Sequence, residues 1–174
     1  MIPFLRPLIT IAFILIPTLV SQGNGFFLQH RIQQLRATHK CFGCHLSEVN
    51  LSGANLKGVD LRSTDLQGAN LKNANLRYAN LEWADLRNAN LQGADLSGAN
   101  LNTALLVDTD LQGANLEASN LELADVMNAN LTRANLLKAS RSDDIQSSHS
   151  VTLCRTILPN GLISSRNCQR VGTR

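Results

Sequence analysis

Aromatic side chains are scarce: they make up 4% of the 174 residues, with one Trp and one Tyr. A domain of ordinary shape fills its centre with large rings, so Leu and Ala must fill this one, and what they enclose must be thin. A long apolar run is also missing. The best stretch, Leu8 to Val20, is thirteen residues with Pro17 inside it, whereas a bilayer-spanning helix needs about 20. Absent too are the phosphate-binding loop, the H-E-x-x-H zinc helix and the nucleophile elbow, which removes the commonest signatures of nucleotide, metalloprotease and hydrolase chemistry. Neither sign of charge forms a block. The formal net charge is +3, and residues 46–140 hold seven Lys/Arg against eleven Asp/Glu. The basic residues of the flanks, such as Arg31, Arg36, Arg155 and Arg166, are dispersed and not interleaved with aromatics, which argues against nucleic-acid binding.

The ends carry an address and two cysteine pairs. Arg6 precedes the apolar run, and Ser21-Gln22-Gly23 supplies small residues for cleavage before Asn24, so residues 1–23 read as a signal peptide. Contact with a membrane is expected only if that segment stays uncleaved. Cysteine is absent between Cys44 and Cys154, and the four present fall as local pairs, Cys41/Cys44 and Cys154/Cys168. Each pair could close a loop in an oxidising compartment, so export to a periplasm or thylakoid lumen is expected.

Between Leu46 and Leu136 a hydrophobic residue recurs every five positions for nineteen steps, eighteen times Leu and once Val126. Two residues earlier stands a small side chain, thirteen times Ala, and between them stands Asn eleven times and Asp six, with His45 and Leu105 as exceptions. Five fits neither the helical period nor the strand period, so something must reset the chain direction at each step. A short extended piece does this, for example Ala69-Asn70-Leu71, with its outer two side chains inward, its middle one outward, and a two-residue turn after it. Gly53, Gly58, Gly68, Asn73 and Asn88 occupy the second turn position, as a type II turn requires of residues that tolerate positive φ.

The pattern A-(N/D)-L-x-x, as in Ala54-Asn55-Leu56 and Ala84-Asp85-Leu86, resembles the signature of the pentapeptide-repeat family. The resemblance implies an all-β fold, a right-handed quadrilateral parallel β-helix with four repeats to a coil. Residues twenty apart then become neighbours and Leu stacks on Leu. A solenoid needs its ends covered. Residues 24–40 are expected to form a helical cap, with Leu28, Ile32 and Leu35 on one side; 41–140 the solenoid; and 141–174 a C-terminal cap around the turn Pro159-Asn160-Gly161.

Cys41-Phe42-Gly43-Cys44-His45 fits the C-x-x-C-H pattern of c-type haem attachment, with His30, His39 and His149 as conceivable distal ligands. The repeat phase opposes it: Cys41 and Cys44 fall at inward positions and His45 at an outward one. The resemblance opposes it as well, because cyanobacterial members open their repeats with C-x-x-C-x-L, as Cys41 to Leu46 does, and end in a cap segment like the one beginning at Cys154. Disulfides at both pairs are expected, buried thiols or haem at the first pair remaining open, with no other cofactor. Outward turn positions also stack. Arg62 and Glu82 share one column and are expected to pair. Trp83 and Leu123 share the next, Tyr78 stands one corner away, and Val107 and Met127 lie beside Leu105, so these apolar residues are the candidate patch for a protein partner. A non-enzymatic structural or interaction module is expected, its partner and oligomeric state unassigned. The alternatives are a c-type haem carrier and the DNA-mimicking, topoisomerase-protecting role known in the family, which relies on a strongly acidic cytoplasmic rod.

Overall fold

The structure, a computed structural model, describes residues 33, 35, 37–140, 145 and 150–168. The expected signal peptide, most of the expected N-terminal helix, including Leu28 and Ile32, and the histidines His30 and His149 lie outside these residues.

Each five-residue step is one short extended piece and one turn, because the middle residue pairs with the residue twenty positions on. Asn50 bridges Asn70, Asn70 bridges Asn90 and Asn90 bridges Asp110, all in parallel. Four steps therefore close a coil, and the chain is a four-sided solenoid. Coil-to-coil bonds use both backbone groups: Leu51 N donates to Asn70 O at 2.8 Å and Asn70 N to Val49 O at 2.8 Å. Corners are bonded too, since Gly53 N donates to Lys72 O at 2.8 Å and Ala54 N closes the turn on Leu51 O at 3.1 Å. Almost the whole backbone is thus satisfied although no strand in the repeat exceeds one bridge residue.

The core is a column of Leu and Ala. Leu61, Leu66, Leu71, Leu76 and their successors to Leu106 are fully enclosed, with Ala69, Ala84, Ala94 and Ala104 against them. Each buried Leu contributes about 1.5–3 kcal/mol. Thr64 and Thr109 occupy the small inward position without leaving an orphan hydroxyl, because their Oγ1 atoms donate to Cys41 O at 2.6 Å and Leu86 O at 2.9 Å. Ser119 does leave one: it is 1% exposed and its Oγ has no partner.

The middle residue of each step has two tasks, which explains why Asn and Asp alternate there. Its Oδ1 accepts the backbone N–H two residues on, as Asn50 does from Ser52 at 3.1 Å and Asp65 from Gln67 at 3.1 Å. Where it is Asn, the amide also donates to the coil before it, as Asn70 Nδ2 does to Asn50 Oδ1 at 3.2 Å and Asn100 Nδ2 to Asn80 Oδ1 at 3.2 Å.

Solenoid geometry reaches beyond Ser140. After residues 141–149 the chain returns to the same stack, shifted by two: Thr152 bridges Asn130 and Ile157 bridges Asn135. Leu131 N donates to Thr152 O and Leu136 N to Ile157 O, and Val151, Leu153 and Thr156 point inward and are buried. Part of the expected C-terminal cap is therefore a further half coil. Its last step is the strand β1, Thr156–Ile157, which an antiparallel partner β2, Ile163–Ser164, covers in the register Thr156 with Ser164 and Ile157 with Ile163. The turn between them is held by Leu158 N on Leu162 O at 2.7 Å. At the other end, Gln33, Leu35, Ala37 and Thr38 have helical backbone, and Leu35 is 2% exposed against the core cluster.

Candidate functional site

Both cysteine pairs are disulfides. Cys41 and Cys44 are joined with their Cα atoms 5.3 Å apart, and Cys154 and Cys168 with theirs 4.7 Å apart. The first pair spans the opening turn and faces the interior, at 1% and 2% exposure. His45 points the other way: its side chain is 81% exposed and Nδ1 lies 3.7 Å from Asp65 Oδ2. Haem attachment needs both sulfurs as thioethers and the imidazole on the same side. Here the sulfurs are bonded to each other inside and the imidazole is outside, so these residues do not fit a haem. Among the described residues no His, Cys, Asp and Glu group has the arrangement of a metal site.

Turn geometry changes the meaning of the exposed apolar residues. The second turn position has positive φ at every step from Glu48 to Lys138, whether or not it is Gly or Asn. Trp83 stands at φ 61°, Leu123 at 57° and Tyr78 at 56°. Bulky residues pay a steric penalty in this region, and little burial offsets it, since Trp83 is 60% exposed and Leu123 63%. The sequence shows only the Gly and Asn positions as turn markers; the period itself marks the others.

Because twenty residues make a coil, the candidate residues can be placed around the rod. The column Arg62, Glu82, Asn102, Glu122 and its neighbour Ser63, Trp83, Thr103, Leu123 form one corner. The column His45, Asp65, Asp85, Leu105, Asp125 runs down the middle of the next face. Val107 and Met127 stand at that face's far corner. Trp83, Leu123, Leu105, Val107 and Met127 thus frame one face, with Leu105 38% and Met127 51% exposed. Tyr78 is not part of it. Its ring lies at another corner, over Gly98 of the next coil, with the Arg77 guanidinium 5.7 Å from the ring centre, beside a hollow that Glu117 and Asn115 also line.

The middle column of this face departs from the rule set by the others. Leu105 can neither accept the N–H of Val107 nor receive a bond from the next coil, and none of the column's residues is Asn. Carboxylates therefore follow one another, Asp65 and Asp85 as bridge neighbours and Asp125 after Leu105. Asp85 is held by Arg87, whose Nε donates to Oδ1 at 2.9 Å, and this hydrogen bond lowers its pKa. The expected pairing of Arg62 with Glu82 is not what forms. Arg62 turns to Asp60 two residues earlier, with Nε on Oδ1 at 2.9 Å and Nη2 on Oδ2 at 2.8 Å, and covers the Phe42 ring at 5.6 Å. A fork on one carboxylate of the same coil gives two hydrogen bonds, whereas a carboxylate in the next coil would offer a single long-armed contact. That bond lowers the Asp60 pKa, while Glu82 acts on Arg62 only through its charge.

A family model for pentapeptide repeats matches this chain in 8 copies over residues 40–77, 64–102 and 104–140. Among solved structures, the chain is similar to a pentapeptide repeat protein from Nostoc Pcc 7120, at 32% identity over 71% of this chain and 93% of that one, with a TM-score of 0.51. It is also similar to a pentapeptide repeat protein from the Arabidopsis thaliana thylakoid lumen, at 31% identity over 60% and 72% of the two chains, with a TM-score of 0.49. No curated protein matches it.

Proposed function

The chain belongs to the pentapeptide-repeat family, a right-handed quadrilateral β-helix, and from this premise we propose that it is an exported, non-enzymatic interaction module whose partner docks on the face framed by Trp83, Leu105 and Leu123. One observation carries this reading: of the three large apolar or aromatic side chains exposed at positive φ, Trp83, Leu123 and Tyr78, two stand on one face together with Leu105. Trp83 and Leu123 are exposed side chains at positive φ, and Leu105 forgoes the hydrogen bond that Asn or Asp makes at the same place in neighbouring steps. A side chain that weakens the fold where it stands, and is not buried by it, is explained by contact with something else. Export rests on the signal-like N-terminus together with two disulfides that a reducing cytosol would not keep.

Photo-crosslinking in the source cells tests the docking face. A photoreactive phenylalanine in place of Trp83 is expected to capture a protein, whereas the same group in place of Gln112, at the diagonally opposite corner, captures none. Equal capture from both positions, or none from either, overturns the reading. Intact-mass measurement of the mature protein tests export: loss of residues 1–23 and the mass of two disulfides are expected, and a full-length mass with free thiols would refute it.

A further inference from the structure

We infer that the face bounded by Trp83, Leu105, Leu123 and Met127 takes a cationic amphipathic segment, one in which Lys or Arg alternates with apolar side chains. This rests on the docking-face reading above and specifies the chemistry of its partner. The argument is charge together with apolar exposure on the same few residues. Over residues 46–140 this face and its corners carry seven carboxylates against Arg62 and Arg87, and between residues 102 and 128, where Asp108, Glu122 and Asp125 are exposed, no Lys or Arg. Leu105, Leu123 and Met127 stand between these carboxylates, at 38%, 63% and 51% exposure. Among the described residues Asp125 has no cationic partner, unlike Asp60 and Asp85, which hold Arg62 and Arg87.

The opposite face has the other sign. It and its corners carry Lys57, Lys72, Arg77, Arg133 and Lys138 against Asp95 and Glu117. The acidity is therefore not a general property of the rod but is concentrated where the apolar residues are. An acidic partner, or an anionic surface, would be repelled from this face and drawn to the opposite one. A second copy could offer its basic face, where Tyr78 lies over Gly98 and is exposed, so self-association is the outcome that the test below must separate. The flatness of the face suits an extended segment, whose alternating side chains would match the repeat of carboxylate and apolar residue along the rod.

The single Trp makes the test direct, because Trp83 fluorescence reports this face alone. The oxidised mature protein is titrated with three synthetic peptides of equal length: alternating Lys and Leu, alternating Glu and Leu, and alternating Lys and Ser. The Lys/Leu peptide is expected to shift the Trp83 emission to the blue, to bind about tenfold more tightly than either control, and to weaken as salt is raised. Leu105→Asn with Leu123→Asn is expected to remove that preference, while Tyr78→Asn leaves it intact. Binding of the Lys/Ser peptide as tightly as the Lys/Leu one, of the Glu/Leu peptide at all comparably, or self-association that Leu105→Asn abolishes would each overturn the inference. If crosslinking from position 83 captures a protein whose linked segment is acidic or uncharged, the docking face stands and this inference falls.

Discussion

At the residue scale, the repeat behaves as a rule whose exceptions have measurable prices in stability. Ser119 is the simplest. It occupies an Ala position with its Oγ buried and unpartnered, so Ser119→Ala is expected to stabilise the fold by ~1 kcal/mol, read as a thermal midpoint about 2–4 °C higher. Gly98 works the other way. A Cβ there would meet the Tyr78 ring carbons at 2.6 Å, on a backbone at φ +65°. Gly98→Ala is expected to destabilise by ~1 kcal/mol or more, and a double-mutant cycle with Tyr78→Ala should return the part due to the clash but not the part due to φ. Leu105→Asn separates stability from function: it restores an acceptor for the Val107 N–H and an amide facing Asp85, so the variant should melt higher while losing affinity at the docking face. A variant that melted lower would show that Leu105 stabilises the face by itself.

Among the elements, the two ends are where the structure departs furthest from what the chain announces. The steps from Leu46 to Leu136 were legible because a period of five fits neither helix nor strand, four steps to a coil being what the family resemblance implied, and the inward Cys41 and Cys44 followed from the same phase. The half coil at 151–158 was not read, because residues 141–149 shift the register by two and Val151-Thr152-Leu153 and Thr156-Ile157-Leu158 carry neither Ala nor Asn. A signal was present in Leu153 and Leu158, still five apart, and in Arg155 at the turn position with φ 56°. The Arg62 fork on Asp60 was illegible for a different reason: column membership fixes which residues are near, but a long side chain then chooses by hydrogen-bond number. The Cys154–Cys168 disulfide ties this half coil to the chain beyond β2. Closing that loop contributes about 3 kcal/mol, so Cys154→Ala with Cys168→Ala should lower the midpoint and remove amide protection first at Leu131, Arg133 and Leu136, whose N–H groups donate to the half coil. Protection lost evenly along the rod would contradict this.

Across the whole molecule, charge and stability are both distributed along one axis. Asp60 and Asp85 have pKa values lowered by their arginine hydrogen bonds. A carboxylate with a depressed folded-state pKa stabilises above its unfolded value, about 4, and that contribution disappears as pH falls through the folded value. The acid limb of the stability profile should therefore flatten slightly in Asp60→Asn with Asp85→Asn, by a small amount because both pairs are solvent-screened. Nearest-neighbour stacking also predicts that amide exchange is slowest in the central coils and faster toward both ends.

The coil of twenty residues makes recognition, though not folding, sensitive to a small change in length and insensitive to one large one. Removing a single step between Trp83 and Leu123 would keep every Leu inward and the fold intact, yet turn all that follows by a quarter revolution and carry Leu123 to a different side from Trp83. Removing a whole coil would shorten the rod and leave both on the same corner, one row nearer. Insertions and deletions should therefore separate folding from recognition for the whole face at once: recognition survives only in whole turns.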